Sequence, residues 1–259
     1  AEKVIEPELL PRICTRKDEI ETLLKEQEKL MIKAPWSSSG RGLQPITKIP
    51  VVSKVWEKIL GMVKEQGYVI AEPLLQKQLD LAFQFELQKG KATFLGMSCF
   101  LTDPKGQYQG NLLNCWPENT SLETKKFAEE LPGWLVHPLK KSIESSPMSY
   151  SYEGHLGIDV LIFRNSGGRL KVNPCLEINL RQNMGLLSLK LQKLLKPETS
   201  GIFKTYYQKE KPFQLFVNEM RKKYPVVKQN NRMAEGFFPL TPVKEDVLFG
   251  AYLLPGSCK

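Results

Sequence analysis

An apolar run with polar side chains at every second position, Cys-Leu-Glu-Ile-Asn-Leu-Arg over residues 175–181, constrains this chain more than any other stretch. In a β-strand, residues i, i+2 and i+4 point to one face. Glu177, Asn179 and Arg181 therefore share a face, and Leu176, Ile178 and Leu180 are expected to pack the other way. Two hard oxygen ligands beside a guanidinium suit a magnesium phosphate. The run is also one arm of a hairpin, because Gly157 to Phe163 and Leu170 to Leu180 read as strands joined by Asn165-Ser-Gly-Gly168.

The other arm carries Asp159 among Ile158, Val160, Leu161 and Ile162. An unpaired carboxylate there costs several kcal/mol unless it meets solvent, a partner or a metal. If the register sets Asp159 opposite an odd-numbered residue, it joins Glu177, Asn179 and Arg181 on one face. A bulge at Pro174 would alter that register. The bland alternative is a salt bridge from Asp159 to Arg181 on a solvated face, which explains one acid better than it explains four polar groups together.

Two further constellations stand earlier in the chain. Lys33 ends an apolar strand and is followed by Ser37-Ser38-Ser39-Gly40-Arg41-Gly42. Glycines let backbone N–H groups approach phosphate oxygens, serines add donors, and the lysine supplies a point charge. A serine-rich hairpin turn explains the same residues taken alone. Neither the Walker pattern nor the kinase signatures occur, so a different nucleotide-binding architecture is required. Next, Ala71-Glu72-Pro73-Leu74 ends a strand whose extended backbone can meet an adenine edge, with Asp80 placed to accept ribose hydroxyls. Glu72 could equally be a plain exposed acid.

A chain of 259 residues with 41% hydrophobic content can bury one large core or two small ones. No apolar run approaches the roughly 20 residues that span a bilayer. The net charge of +9 reads by default as a solvated basic surface, and no motif or aromatic interleaving favours nucleic acid. Five scattered cysteines (Cys14, Cys99, Cys115, Cys175, Cys258) without CxxC pairs fit reduced thiols in a cytoplasmic protein. No secretory signal is visible, and a start at Ala1 rather than methionine reads as a piece of a longer protein.

Thr15 and Asp18 predict a capping box and a helix of about three turns. Strands are expected near 30–33, 43–46, 68–72, 79–87 and 91–102, and an amphipathic helix over 51–63 stopped by Gly67. Residues 103–120 read as turns, 122–131 and 135–143 as two helices, and 186–195 as a leucine-rich helix. A basic tail from 198 holds a helix around 213–223. The order is α+β.

Lys33 with its glycine loop, Glu72-Pro-Leu-Leu, Asp80, and Asp159 followed by Glu177-x-Asn179-x-Arg181 together resemble the ATP-grasp superfamily over roughly residues 12–190. The resemblance implies two α+β subdomains clamping ATP between antiparallel sheets: 1–72 as the lid, 73–197 as the catalytic part and 198–259 as a basic extension. It implies ATP and one or two Mg²⁺ as cofactors, with Asp159, Glu177 and Asn179 as metal ligands. Lys33, Ser37, Ser38, Ser39, Gly40, Arg41, Gly42, Glu72, Leu74 and Asp80 would hold the nucleotide, and Arg181 with Lys33 would serve catalysis. The implied activity is an ATP-dependent ligase that turns a small-molecule carboxylate into an acylphosphate for capture by an amine or thiol. An ATP-grasp kinase acting on an anionic molecule such as an inositol phosphate, or a non-catalytic nucleotide-binding module, are the other readings. The chain departs from the family at Gly157, where many members carry an arginine that Arg164 or Arg41 would have to replace; the further N-terminal domain usual in the family is not among these 259 residues, so either the full protein is longer or the substrate is bound with the tail from 198. His137 and His155 read as structural, with His155 at the entrance to the metal strand.

Overall fold

The computed structural model describes residues 3–37, 42–104 and 106–256. Ser38, Ser39, Gly40, Arg41 and Cys258 lie outside the described residues. The chain divides into two compact units, one of Ala1–Gln76, Thr102–Tyr108 and Phe163–Lys171, the other of Lys77–Leu101, Gln109–Ile162 and Val172–Lys259.

In the first unit the elements are β1 (Arg12–Cys14), α1 (Lys17–Gln27), β2 (Leu30–Lys33), β3 (Leu43–Ile46), α2 (Ser53–Gln66) and β4 (Val69–Pro73). The strands form an antiparallel sheet in the order β1-β4-β2-β3. Alternation along β2 buries Leu30 and Ile32 completely, against Ile20, Leu24, Ile59 and Val69. Met31 and Lys33 consequently share the opposite face. The start of α1 is one residue later than the Thr15/Asp18 pattern predicts: Glu19, not Asp18, turns its carboxylate back to accept the N–H groups of Thr15 (2.7 Å) and Arg16 (3.2 Å). Gly67 ends α2 with φ at 84°, a left-handed cap that a side chain would strain.

The second unit is built on an eight-stranded sheet with the spatial order Phe238–Pro239, Phe249–Pro255, Gly201–Tyr207, Tyr108–Leu113, Lys91–Thr102, Gln76–Gln88, Gly154–Arg164, Leu170–Asn179. In chain order its elements are β5 (Gln76–Gln88), β6 (Lys91–Thr102), β7 (Tyr108–Leu113), α3 (Leu122–Ser145), α4 (Met148–Ser151), β8 (Gly154–Arg164), β9 (Leu170–Asn179) and α5 (Met184–Gln192). They continue with β10 (Gly201–Tyr207), α6 (Phe213–Lys223), β11 (Val227–Gln229), β12 (Arg232–Glu235), β13 (Phe238–Pro239) and β14 (Phe249–Pro255). Lys89 and Gly90, both at positive φ, turn β5 into β6 in an antiparallel hairpin. The residues from 198 contribute β10 and β14, which pair antiparallel with each other, and β10 pairs with β7.

Separate sheets and helices give the α+β class read from the sequence, with several local differences. The turn-rich segment 103–120 contains β7, because Asn111, Leu112 and Leu113 find partners on β10 that lie far away in the chain. Residues 122–145 form one helix rather than two, running through Pro132 and Pro138. Each internal proline loses a helix hydrogen bond and costs on the order of 3 kcal/mol. The buried stripe of Ala128, Leu131, Leu135, Leu139 and Ile143 offsets that cost. Cys14, Cys99 and Cys175 are free, but Cys115 is disulfide-bonded, which corrects the expectation of reduced thiols throughout. Among the described residues no helix is long and apolar enough to cross a membrane.

Candidate functional site

The sequence-derived residues fall into two sets, one on each unit. On the first unit, antiparallel pairing sets Met31 opposite Glu72, so Glu72 and Lys33 are diagonal neighbours on the face away from the core. Lys33 Nζ lies 2.5 Å from Glu72 Oε1. Glu72 is buried rather than a plain exposed acid. Burial pushes its carboxyl above the usual range, and the Lys33 ammonium pulls it part of the way back.

The strand after Lys33 leads into the serine-glycine loop, of which Ser37 and Gly42 are described. Ala34 N–H donates to the Gly42 carbonyl (2.9 Å), closing the mouth of the loop. A Cβ on Gly42 would lie 2.3 Å from Ser37 Oγ and 2.9 Å from Ala34 Cβ. Only glycine fits here without displacing its neighbours. Beyond Glu72, Leu74 donates its N–H to the Lys29 carbonyl at 3.0 Å. Leu74 also lines a cavity of about 510 Å³ on the first unit, together with Leu9, Lys29, Leu75 and Phe163.

On the second unit β5, β8 and β9 are neighbours in the sheet, and they bring Asp80, Asp159, Glu177, Asn179 and Arg181 into one electrostatic group. Asn179 Nδ2 donates to Asp159 Oδ2 at 3.3 Å, so the two side chains share a face despite Pro174. This leaves the amide oxygen of Asn179 free to serve a cation, since the nitrogen is the atom engaged. Burial first, then the charges of Glu177 and Asp80, push Asp159 up to about 7, against the hydrogen bond from Asn179 and the field of Arg181. A half-buried carboxylate that hard to ionise fits a site that a divalent cation completes. Among the described residues no three His, Cys, Asp or Glu side chains are gathered for a metal; the oxygen-bearing groups of this hairpin that could hold one are Asp159, Glu177 and the Asn179 amide. Asp80 is buried and paired with Lys77 at 2.7 Å.

Two features differ from the sequence reading of this hairpin. Ile178, on the edge strand β9, and Leu180, just past its end, are each 46% exposed rather than packed inward. Asn183, which the sequence reading passes over, anchors the segment after Arg181. Its Oδ1 caps α5 by accepting the Leu186 N–H at 3.1 Å, and its Nδ2 donates to the Arg181 carbonyl at 3.4 Å. The missed signal was an asparagine directly before Met-Gly-Leu-Leu, an ordinary N-cap pattern.

This anchor depends on two glycines. A Cβ on Gly157 would lie 2.4 Å from Asn183 Nδ2, and one on Gly185 would lie 2.3 Å from Gln84 Nε2 and 2.6 Å from Ser98 Oγ. Any side chain at position 157 would have to displace the Asn183 amide. Gln84 and Ser98 are both 1% exposed and cannot swing away. Gly185→Ala should accordingly lower stability by about 1–3 kcal/mol, the usual cost of overpacking. Urea denaturation would check this, and an unchanged midpoint would remove the interlock. His155 lies on β8 with its Nδ1 buried and without a hydrogen-bond partner among the described residues, and His137 is exposed on α3.

No protein-family model and no curated protein matches the sequence. Solved structures do match in three dimensions. N5-carboxyaminoimidazole synthetase from Staphylococcus aureus, complexed with ADP, is 13% identical with a TM-score of 0.55 over 98% of this chain and 64% of that one. Biotin carboxylase from Campylobacter jejuni, in a β,γ-ATP complex, is 13% identical with a TM-score of 0.55 over 92% of this chain and 56% of that one. Carboxyaminoimidazole ribonucleotide synthase from Aspergillus clavatus, complexed with ATP, is 13% identical with a TM-score of 0.53 over 95% and 63%. The chain spans less than two thirds of the length of each, and the likeness is one of fold.

Proposed function

We propose that this chain, whose fold is the ATP-grasp fold, binds Mg-ATP and activates a small-molecule carboxylate for capture by an amine or thiol. The observation that carries the reading is the pairing of Asp159 with Asn179 on the face shared with Glu177, with Asp159 pushed up to about 7. Glu177 lies near enough to raise Asp159 electrostatically, and Arg181, exposed just past the strand, lowers it. The structural neighbours named above, crystallised with ADP or ATP, support the nucleotide.

Phosphoryl transfer asks a protein for positioning and charge neutralisation more than for covalent chemistry. Asp159, Glu177 and Asn179 would hold a divalent cation, which when bound neutralises charge on the β- and γ-phosphate oxygens. Arg181 lies two residues past Asn179 and places a permanent positive charge where the transferring group becomes most negative. The chain carbonyl of Arg181 is tied to Asn183, so its backbone is fixed while its side chain remains exposed. On the first unit, Lys33 would contact the α- and β-phosphates. The Lys33 ammonium is paired with the buried Glu72 carboxylate. Asp80, with Lys77 as its partner, would face the ribose, and the Glu72–Leu74 segment the adenine edge.

Removal of the guanidinium tests the division of labour. Arg181→Met should reduce kcat by about a hundredfold, roughly 3 kcal/mol of transition-state stabilisation, with little change in the affinity for Mg-ATP. Equal losses in kcat and nucleotide affinity would assign Arg181 to binding instead. The reaction class is tested by incubating the protein with Mg-ATP and pools of carboxylates and amines. A ligase releases inorganic phosphate in step with ADP, whereas a kinase leaves the phosphate on its product. ADP formation without free phosphate would replace the ligase reading with the kinase one.

A further inference from the structure

Residues 184–232 carry eleven lysines and arginines against three glutamates, so eight of the nine net positive charges of the chain sit on less than a fifth of its length. The fold gathers several of them on one surface. Arg232 donates to the carbonyls of Lys193 and Leu195, Met233 N–H bonds the Leu194 carbonyl, and Lys196 N–H bonds the Met233 carbonyl. This stitches the end of α5 to β12. Lys228 lies opposite Met233 on β11, and α6 ends with Arg221, Lys222 and Lys223 only a few residues before β11 begins. Lys193, Lys196, Lys222, Lys223, Lys228 and Arg232 are all exposed.

On the same segments the aliphatic side chains of Leu194, Val226 and Val227 are 48%, 49% and 38% exposed, with one exposed acid, Glu235 of β12, opposite Val227. Of the aromatic residues nearby, Tyr206, Phe213, Phe216, Phe237 and Tyr252 form a cluster of ring contacts, and the partly buried Tyr224 packs against that cluster with Lys223 Nζ 5.2 Å from its ring centroid. Single-stranded nucleic acid is held by basic grooves with aromatic stacking platforms. A basic surface with open aliphatics suits carboxylates interspersed with apolar side chains. In addition, β11 belongs to a two-stranded sheet in which it pairs with β12 alone, and its three residues are all exposed. An edge of this kind can accept an extended polypeptide strand through main-chain hydrogen bonds, with lysines selecting its side chains.

We propose that the surface formed by β11, β12, the C-terminal end of α6 and the segment after α5 docks an extended acidic polypeptide segment. The docking does not depend on the chain being a ligase, and its test involves no turnover. Fluorescence anisotropy with a labelled peptide of alternating glutamate and valine, at low salt and again at physiological ionic strength, reads binding directly. A single-stranded oligonucleotide of equal charge serves as the competing probe. The expected result is saturable peptide binding that weakens with salt. It should be lost at least about tenfold in the Lys222→Glu, Lys223→Glu, Lys228→Glu variant. A control variant reversing Lys91, Lys126 and Lys141, which are exposed on β6 and α3, changes net charge equally and should bind like the parent. Absence of peptide binding, tighter binding of the oligonucleotide, or an equal loss in the control variant would each overturn the proposal.

Discussion

Glu177→Gln is expected to abolish most of the ATP-dependent turnover, by about a thousandfold, equivalent to roughly 4 kcal/mol. The substitution keeps shape and hydrogen bonding while removing one of the two carboxylates in the metal-fitting set. Glu177 is exposed, so the fold does not depend on its charge. The variant should therefore unfold at the same denaturant concentration as the parent without magnesium. With magnesium and ATP, the parent alone should gain stability, because a ligand that binds only the native state raises the unfolding free energy by mass action. The measurement is phosphate release across a magnesium titration, paired with thermal unfolding in the presence and absence of Mg-ATP. Unchanged turnover with an unchanged magnesium dependence would remove Glu177 from the metal site, and with it the reason for placing phosphates beside Arg181.

Asp159 supplies the second large effect, through pH. Its carboxyl is pushed up from the ordinary aspartate range to about 7, chiefly by burial and then by Glu177 and Asp80. For a folded-state value above the unfolded one, the stabilisation is complete while both states are protonated, below the unfolded value. It is lost progressively as pH rises through the folded one. Between pH 5.5 and 7 the metal-free protein should lose on the order of 2 kcal/mol from this group, a fall of roughly 5 °C in melting temperature for a chain of this size. Asp159→Asn cannot ionise, so the difference between parent and variant isolates the contribution from that of other acids. The variant should be the more stable of the two at pH 8 without metal. Magnesium should reverse that order, since a bound cation replaces the missing countercharge and favours the ionised carboxylate. If the two melting curves run parallel from pH 5 to pH 8, Asp159 is not held as a strained half-buried acid.

Both expectations trace back to side chains that a sequence can show, and to distances that it cannot. The alternation Glu177-x-Asn179-x-Arg181 puts three polar groups on one face whatever the fold, because side chains in a strand have a period of two. Glycine, proline and apolar periodicity likewise mark the Lys89–Gly90 turn, the stop of α2 at Gly67 and the alternating core face of β2. These are local effects, decided within a few residues. The prolines of α3 mislead for the same reason: their local cost is real, and only the apolar stripe buried along the whole helix outweighs it. Segment 108–113 carries little local preference, and becomes β7 because β10, some ninety residues later, supplies its hydrogen-bond partners.

The site divides along the same line. Residue types and spacing determined that this chain holds a lysine before a glycine loop, an acid at a strand end and a hairpin with three metal-suited side chains. Tertiary structure decided that Asp159 and Asn179 meet, since that depends on the β8–β9 register across Pro174. It also decided that Lys33 is held by Glu72, that Asp80 presses on Asp159, and that Asn183 fits only because residues 157 and 185 lack a Cβ. Those contacts join residues far apart in the chain, where only the packing of strands sets distance, burial and therefore charge state.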